Sequence, residues 1–287
     1  MSTIAALGNL SRDVVAGSAP RPGGGVFYAT RALARLGVDA HTEASCSAEH
    51  RAQLLPPLEA FGLPVAWHPS STTTEYSFHY EGDRRIMWQD AVGDPWTPEQ
   101  AVAAAADARW VDVCALTRTD FPAETLAALA ADGRRLLVDL QGLVRTTALG
   151  PLQTDAEIGD VLRYVDVLKL NDEEAETVVG SADPEKLRAL GVPEVVLTTG
   201  SQGAWVVTPG LIEHVPAVPV EGPVDPTGAG DTYSVTYIVQ RVAGAEPVEA
   251  ARVAATTVSA SLAAAPARGG SSPQATALAG ATKVVSE

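Results

Sequence analysis

The sequence predicts an α/β protein built on a mostly parallel central sheet, and three observations carry that expectation. Short β-rich runs recur along the chain, each ends in a polar residue or glycine, and the stretches between them have helical rather than strand periodicity. The runs are Ile4 to Leu7, Trp110 to Leu116, Leu136 to Leu140, Val167 to Leu170 and Val195 to Thr198. After the first of them, Ala29, Ala32, Leu33 and Leu36 repeat at i, i+3, i+4, i+7 and stop at Gly37, which predicts a helix with a glycine C-cap. That helix directly follows Gly23, Gly24 and Gly25, so a glycine-rich turn opens it. Residues Thr73 to Tyr80 and Arg85 to Gln89 depart from the rhythm and read as a hairpin turning at Glu81, Gly82 and Asp83, an insertion of the kind that makes a lid. Tyr76, Phe78 and Tyr80 fall on one face of its first strand, to pack on the main domain, on a second subunit or on a ligand. Near the end, the alanine-rich stretch Val248 to Ala267 has helical propensity, with Pro266 as a stop. Neither a linker nor a repeat divides the chain, and one domain over 1–287 is expected.

Composition narrows the function classes. Of the 287 residues 46% are hydrophobic and 19% charged, the proportions of a globular protein with a substantial core. Apolar stretches such as Ala101 to Ala106 fall far short of the roughly 18 residues a bilayer span needs. Met1 to Leu7 runs straight into a strand pattern without a basic region, so no secretory signal and a cytoplasmic location are expected. A formal net charge of −15 opposes nonspecific nucleic-acid binding, and an anion site must therefore be assembled from backbone amides and a few arginines. Cys46 and Cys114 have no metal spacing and read as small core residues.

The richest signal is Asp225-Pro-Thr-Gly-Ala-Gly-Asp231. Gly228 and Gly230 let successive amides converge on an anion, and Val235, Ile238, Val239 and Val242 behind them predict a helix whose N-terminal dipole favours negative charge. A carboxylate beside an anion site is repelled by it, so Asp231 points to a proton acceptor for a hydroxyl attacking phosphorus. Alternatively, Asp231 is only a first-turn charge favoured by the dipole. Two further segments carry a similar ambiguity. Asn171 and Glu174 have the spacing of a helix capping box, and Thr199, Gly200 and Gly203 that of a tight turn after a strand.

Taken in order, PGGG and LARLG (22–25, 33–37), LKLNDEEA (168–175), LTTGSQGAWV (197–206) and VDPTGAGDTY (224–233) resemble the ribokinase-like, or PfkB, carbohydrate kinases over nearly the whole chain. The resemblance implies a three-layer fold with a small β lid, formed mainly by about 10–18 and 63–90. It implies an anion hole at Gly228, Ala229 and Gly230, with Thr227 beside it and Asp231 activating the acceptor hydroxyl. Asn171 and Glu174 then organise magnesium and phosphates, Glu174 through water, while Thr199, Gly200 and Gly203 pass close to ATP and Gly269 and Gly270 close over the adenine. On the acceptor side it implicates Asp13, Gly24 and Gly25, and it puts Tyr28 where family sugar kinases commonly have Asn. Tyr28 offers a ring and one hydroxyl in place of an amide's paired donor and acceptor. VDLQGLVR (138–145) and QDAVGDPWTP (89–98) are similar to the plant-type myo-inositol kinase branch, which adds Asp139, Gln141 and Arg145 as substrate residues; Arg145 is equally suited to a phosphate of ATP or a salt bridge.

Together these features predict an ATP-dependent, Mg2+-assisted kinase acting on a hydroxyl of a sugar or a cyclitol such as an inositol, with a monovalent-cation requirement left open. The alternatives are a nucleoside kinase, with Tyr28 and Phe27 stacking on a base, and a noncatalytic ligand-binding protein on the same fold. Neither nucleic acid nor membrane is expected as a partner, and a homodimer paired through the lid would hide the lid's edge and apolar face.

Overall fold

Buried strands sort their side chains by parity, and this chain shows it from its first strand: Ile4 and Ala6 enter one core, Ala5 and Leu7 the other. The computed structural model describes residues 3–15, 18–81, 84–222 and 224–264. In chain order the first elements are β1 (Ile4–Asn9), β2 (Ser11–Val15), β3 (Arg21–Gly23), α1 (Gly25–Leu36), β4 (Ala40–Ser47), α2 (Ala48–Glu59) and β5 (Val65–Ser70). Then come β6 (Thr74–Glu81), β7 (Arg84–Ala91), α3 (Pro98–Ala105), β8 (Trp110–Cys114), α4 (Ala123–Ala131), β9 (Arg135–Asp139), α5 (Leu140–Val144) and β10 (Gly150–Pro151). The remainder is β11 (Val167–Asn171), α6 (Asp172–Val179), α7 (Pro184–Arg188), β12 (Glu194–Thr198), β13 (Ala204–Thr208), β14 (Leu211–Val215), α8 (Ala229–Val242) and α9 (Pro247–Ala264).

A nine-stranded sheet runs β14-β13-β12-β11-β9-β8-β1-β4-β5. Pairing is parallel from β5 through β12, and β13 and β14 extend the sheet antiparallel. Helices α1, α2, α8 and α9 cover one face around Leu33, Leu54, Val235, Ile238 and Ala251, and α3, α4, α6 and α7 cover the other around Ala101, Leu126, Ala175 and Leu187. This is the expected three-layer arrangement. Gly37 closes α1 in a left-handed conformation (φ 65°), the C-cap its position suggests. Both cysteines are buried and free. Among the described residues no helix is long and apolar enough to cross a membrane.

The second sheet is the lid, ordered β10-β7-β6-β2-β3. It departs from the expected segments in one respect. Within 63–90 the stretch Val65–Ser70 pairs in parallel with β4 and is the edge strand of the main sheet, because Val65 and Trp67 pack onto the main core. The lid gains instead two short edge strands, β3 and β10. Tyr76 and Phe78 bury against Leu116, just past β8, and the Tyr76 hydroxyl donates to the Leu116 carbonyl at 3.4 Å. The lid is thereby fastened over the carboxyl end of the sheet, the edge where open α/β folds hold ligands. The hairpin turn residues Gly82 and Asp83, and everything from 265 on, lie outside the described residues.

Helix α8 is held against the sheet by an ionic anchor. Buried Glu194 accepts from the Tyr237 hydroxyl at 2.7 Å and from Arg241 Nε and Nη2 at 3.0 and 2.7 Å. Arg135 Nη2 adds a longer contact to Glu194 Oε1 at 3.4 Å, and replacing Glu194 by Ala strands the buried Tyr237 hydroxyl and the Arg241 guanidinium. The expected cost is roughly 3 kcal/mol, the low end for breaking a buried pair because Arg241 keeps some contact with water. A urea titration reads this directly, and an unchanged midpoint would show that the anchor contributes nothing to stability.

Candidate active site

The turn that opens α8 is shaped by its own sequence. Asp225 Oδ1 accepts from the Thr227 amide (3.1 Å) and hydroxyl (2.6 Å), fixing the approach. Gly228 then takes a left-handed φ of 79°, and a Cβ there would lie 2.5 Å from the Tyr28 ring and 3.0 Å from Arg31 Nη2. At Gly230 a Cβ would lie 2.9 Å from Lys169 Nζ. Gly228 is therefore required by backbone shape and by its neighbours, whereas Gly230 is helical and its one close neighbour is the end of the Lys169 side chain. Among the described residues no side chain caps the helix, although the Ala229 amide is engaged by the Pro226 carbonyl at 3.0 Å, so that amide is turned inward in this conformation.

Beneath the turn, strand parity brings charge to one place. Asp112 on β8, Asp139 on β9 and Lys169 on β11 alternate with Val111, Val113, Val138, Leu168 and Leu170, which fill the opposite core. The three charged residues thus face the α8 layer. Lys169 Nζ donates to Asp139 Oδ2 at 2.9 Å, and Asp139 Oδ1 accepts the Gln141 amide at 3.1 Å as the N-cap of α5. Burial alone would lower the Lys169 pKa, but Asp139, Glu174 and Asp231 outweigh it and hold the ammonium protonated. Asp231 is pushed up to about 7 by burial and by Asp139, against the opposing pull of Lys169, its own amide and Arg31. Asp112, whose Oδ2 accepts from Cys114 Sγ at 3.4 Å, is raised to about 7 by burial and by Asp231. Arg31 lies behind the turn with its guanidinium 5.0 Å from the Tyr28 ring centroid.

Asp139, Lys169 and Asp231 face a cleft of about 820 Å³ between the lid and α9, and Asp112 and Arg31 are not among its lining residues. At the lid end it is lined by Asp13, Gly24, Gly25, Tyr28, Gln141 and Arg145, with Asp139 and Lys169 at the floor. Asp13 is buried and accepts from the Ser11 hydroxyl at 2.7 Å; Gly23 leaves room for it, since a Cβ would come within 2.4 Å of Oδ2. Thr227, Gly228, Ala229, Gly230 and Asp231 form the middle. Asn171, Gly200 and Gly203 line the far end, where Val218, Val220, Val224, Ala255, Val258 and Leu262 add an apolar slot.

Two expected site residues, Thr199 and Glu174, are not in the cleft lining. Thr199 does not line the cleft: its hydroxyl donates to the Gly203 carbonyl at 3.1 Å and closes its own turn. Glu174 is buried beside the cleft as the capping-box partner of Asn171, accepting its amide at 2.9 Å and its side-chain nitrogen at 3.0 Å. Gly269 and Gly270 lie outside the described residues. Phe27, considered for stacking on a base, packs on Phe61 at a centroid distance of 5.3 Å and does not line the cleft. Gln89 is buried and ties the lid to the Thr146 and Ala148 carbonyls. Lys169, Asp112 and Arg31 join the cluster although the sequence reading assigned none of them a role, Lys169 lying within LKLNDEEA (168–175). For the first two the available signal is a charge inside an apolar strand run.

Comparison with known proteins identifies the family and the fold. A family model described as pfkB family carbohydrate kinase matches residues 19–274. The ribokinase of Bacillus subtilis (strain 168) is 26% identical over 290 residues, covering 94% of this chain and 96% of that protein. A solved structure of a pyrophosphate-dependent kinase in the ribokinase family, complexed with a pyrophosphate analog and myo-inositol, superposes with a TM-score of 0.78 at 25% identity over 90% of this chain and 94% of the other. The Burkholderia thailandensis nucleoside kinase in complex with inosine shares the fold, with a TM-score of 0.72 at 20% identity over 91% of this chain and 90% of the other. The ordered motifs converge on one cleft and the match spans nearly the whole sequence, so the chain belongs to the pfkB family of carbohydrate kinases.

Proposed function

We propose that this kinase moves the γ-phosphoryl group of ATP to a hydroxyl of a small polyhydroxylated acceptor, a sugar or a cyclitol such as an inositol, with Asp231 as the general base. The observation that carries this is the setting of Asp231: a carboxylate at the mouth of an uncapped helix N-terminus, held near neutrality, with the Lys169 ammonium close beneath. A base of that strength takes the acceptor's proton as its oxygen attacks phosphorus. The transferring group is loose and negatively charged, so the protein's task is alignment and charge neutralisation. The amides at the start of α8 and Lys169 supply positive potential there. Asp13, Gln141 and Arg145 offer hydrogen bonds to the remaining hydroxyls.

For the donor, the apolar slot at the far end supports a nucleotide: a bare pyrophosphate has nothing to place against Val218, Val224, Val258 and Leu262. Magnesium would accompany the donor phosphates at this end, as a hard cation that takes oxygen ligands and retains waters. Glu174 has both oxygens engaged by Asn171 and is suited to act on such an ion through water. The ion would neutralise donor phosphate charge. For assembly we keep a homodimer through the lid, whose edge strands β3 and β10 are the natural pairing surfaces.

The test is a donor and acceptor panel. With Mg-ATP, turnover of inositols or sugars is expected, and turnover of adenosine or cytidine alone would overturn the acceptor class; faster reaction with pyrophosphate than with ATP would overturn the donor. Asp231→Asn is expected to lower kcat by about 10²- to 10⁴-fold with the fold intact, the range for loss of a general base. Unchanged activity would remove Asp231 from the mechanism. The pH profile has a definite sign. The base works ionised and its pKa is near 7 in the free protein, so kcat/KM should climb about tenfold per pH unit below that value and level off above it. Asp112 and Glu174 are also raised to about 7, so the limb belongs to the cluster rather than to one residue. A rate flat down to about pH 5.5 would contradict it.

A further inference from the structure

The glycine-rich turn borders two cavities. Besides the cleft, a second cavity of about 270 Å³ is lined by Thr227, Gly228 and Ala229 and by two arginines of α1, Arg31 and Arg35, neither of which lines the cleft. The turn is thus a partition between the two. Arg31 stands against its back: the guanidinium carbon lies 5.0 Å from the Tyr28 ring centroid, and a Cβ at Gly228 would lie 3.0 Å from Nη2. Tyr28 and Gly228 line the cleft themselves, so Arg31 is one layer away from it. Helix spacing delivers it there, since Tyr28, Arg31 and Arg35 fall at i, i+3 and i+7 of α1 and share a face. The turn is therefore bracketed by two cations, Lys169 beneath Gly230 and Arg31 behind Gly228. Lys169 is paired with Asp139, whereas among the described residues no carboxylate lies within ion-pair distance of Arg31, whose field reaches Asp231 and Asp225. Arg35 adds like charge beside it and is tied to α9 by a hydrogen bond from Nη1 to the Ser261 hydroxyl at 3.1 Å.

We propose that Arg31 is a positioning residue for phosphoryl transfer: from behind Gly228 it lends fixed positive charge to the turn and to the group in transit, without touching donor or acceptor. This rests on the reading of the turn as the transfer site and extends it. Negative charge on the transferring phosphoryl oxygens is stabilised by any cation already fixed nearby, and a guanidinium laid on a ring has no rearrangement to make during the reaction. Arg31 is half-buried and acts across the turn's backbone rather than through bulk water, so screening weakens its field without removing it. The same field bears on the base. Asp231 is faced by Asp112 from β8, Asp139 from β9, Lys169 from β11 and Arg31 from α1, and the two cations favour its ionised form against burial and the two carboxyls. Removing Arg31 makes Asp231 harder to ionise.

The experiment compares wild type with Arg31→Met and Arg31→Gln, which keep a stem on Tyr28 and remove the charge, and with Arg31→Lys, which keeps the charge and loses the planar fork. For each, kcat and KM are measured across pH and the thermal midpoint is recorded. In the neutral variants kcat on the pH plateau is expected to fall by about 10-fold, less than for a donor in direct contact with the reacting oxygens. Acceptor KM should change little, the acidic limb should move to higher pH, and Arg31→Lys should recover most of the loss. A folded neutral variant with wild-type kcat and an unmoved limb overturns the proposal. So does an Arg31→Lys variant as slow as the neutral ones, which would make Arg31 a shape for Tyr28 to pack on, and so does a rise in acceptor KM at unchanged kcat. Turnover is not needed for one readout: the Asp231 carboxyl resonance should titrate at higher pH in Arg31→Met than in wild type, and an identical midpoint overturns the proposal. A wild type without any acidic limb is instead a failure of the Asp231 assignment, and the contrast in kcat between Arg31→Lys and the neutral variants then decides for Arg31.

Discussion

The site depends on one buried cation. Lys169 sits on β11 with its ammonium on Asp139, under the backbone of Gly230 and within the field of Glu174 and Asp231. Several carboxylates crowded beneath the glycine-rich turn would otherwise repel one another, and the solution is to share charge and protons. Lys169 keeps its proton, whereas Asp231, Asp112 and Glu174 are left near neutrality with raised pKa values. A carboxyl group poised there is a useful base, whereas an Asp at its ordinary acidity is a weak one. The same closeness bears on the turn, because a Cβ at 230 would lie 2.9 Å from the ammonium and press it aside.

This arrangement is a product of sheet geometry. Three parallel neighbours, β8, β9 and β11, end at similar heights, and parity turns one charged residue from each toward α8. The Glu194 anchor to Tyr237 and Arg241 then fixes the helix whose first turn stands above those charges. The lid completes the enclosure from the other side. It rests on Leu116 through Tyr76 and Phe78, so the residues that attach it also line the cleft.

Much of this was legible in the sequence. The strand runs, the α1 helix with its Gly37 stop, the hairpin and the glycine-rich turn before α8 all follow from local periodicity and backbone preference. What local signals do not contain is pairing. Nothing in residues 63–70 alone distinguishes a lid strand from an edge strand of the main sheet, because the partner, β4, lies elsewhere in the chain. Nor does a single Lys in LKLN or Asp in VDVC reveal its partners, since these contacts exist only once strand order is known. Asn171 and Glu174 show the opposite limit: both readings of that pair rest on the same spacing, and the capping box is formed with its carboxylate buried beside the cleft.

The central claim is that Asp231 holds its proton to an unusual pH because of its surroundings. A carbon-13 NMR titration of aspartate-labelled protein tests this without reference to any substrate. Among the aspartate carboxyl resonances, one that titrates near pH 7 in wild type and is missing from Asp231→Asn is the expected result. A resonance of Asp231 that titrates near about pH 4, at the ordinary carboxylate value, would contradict it.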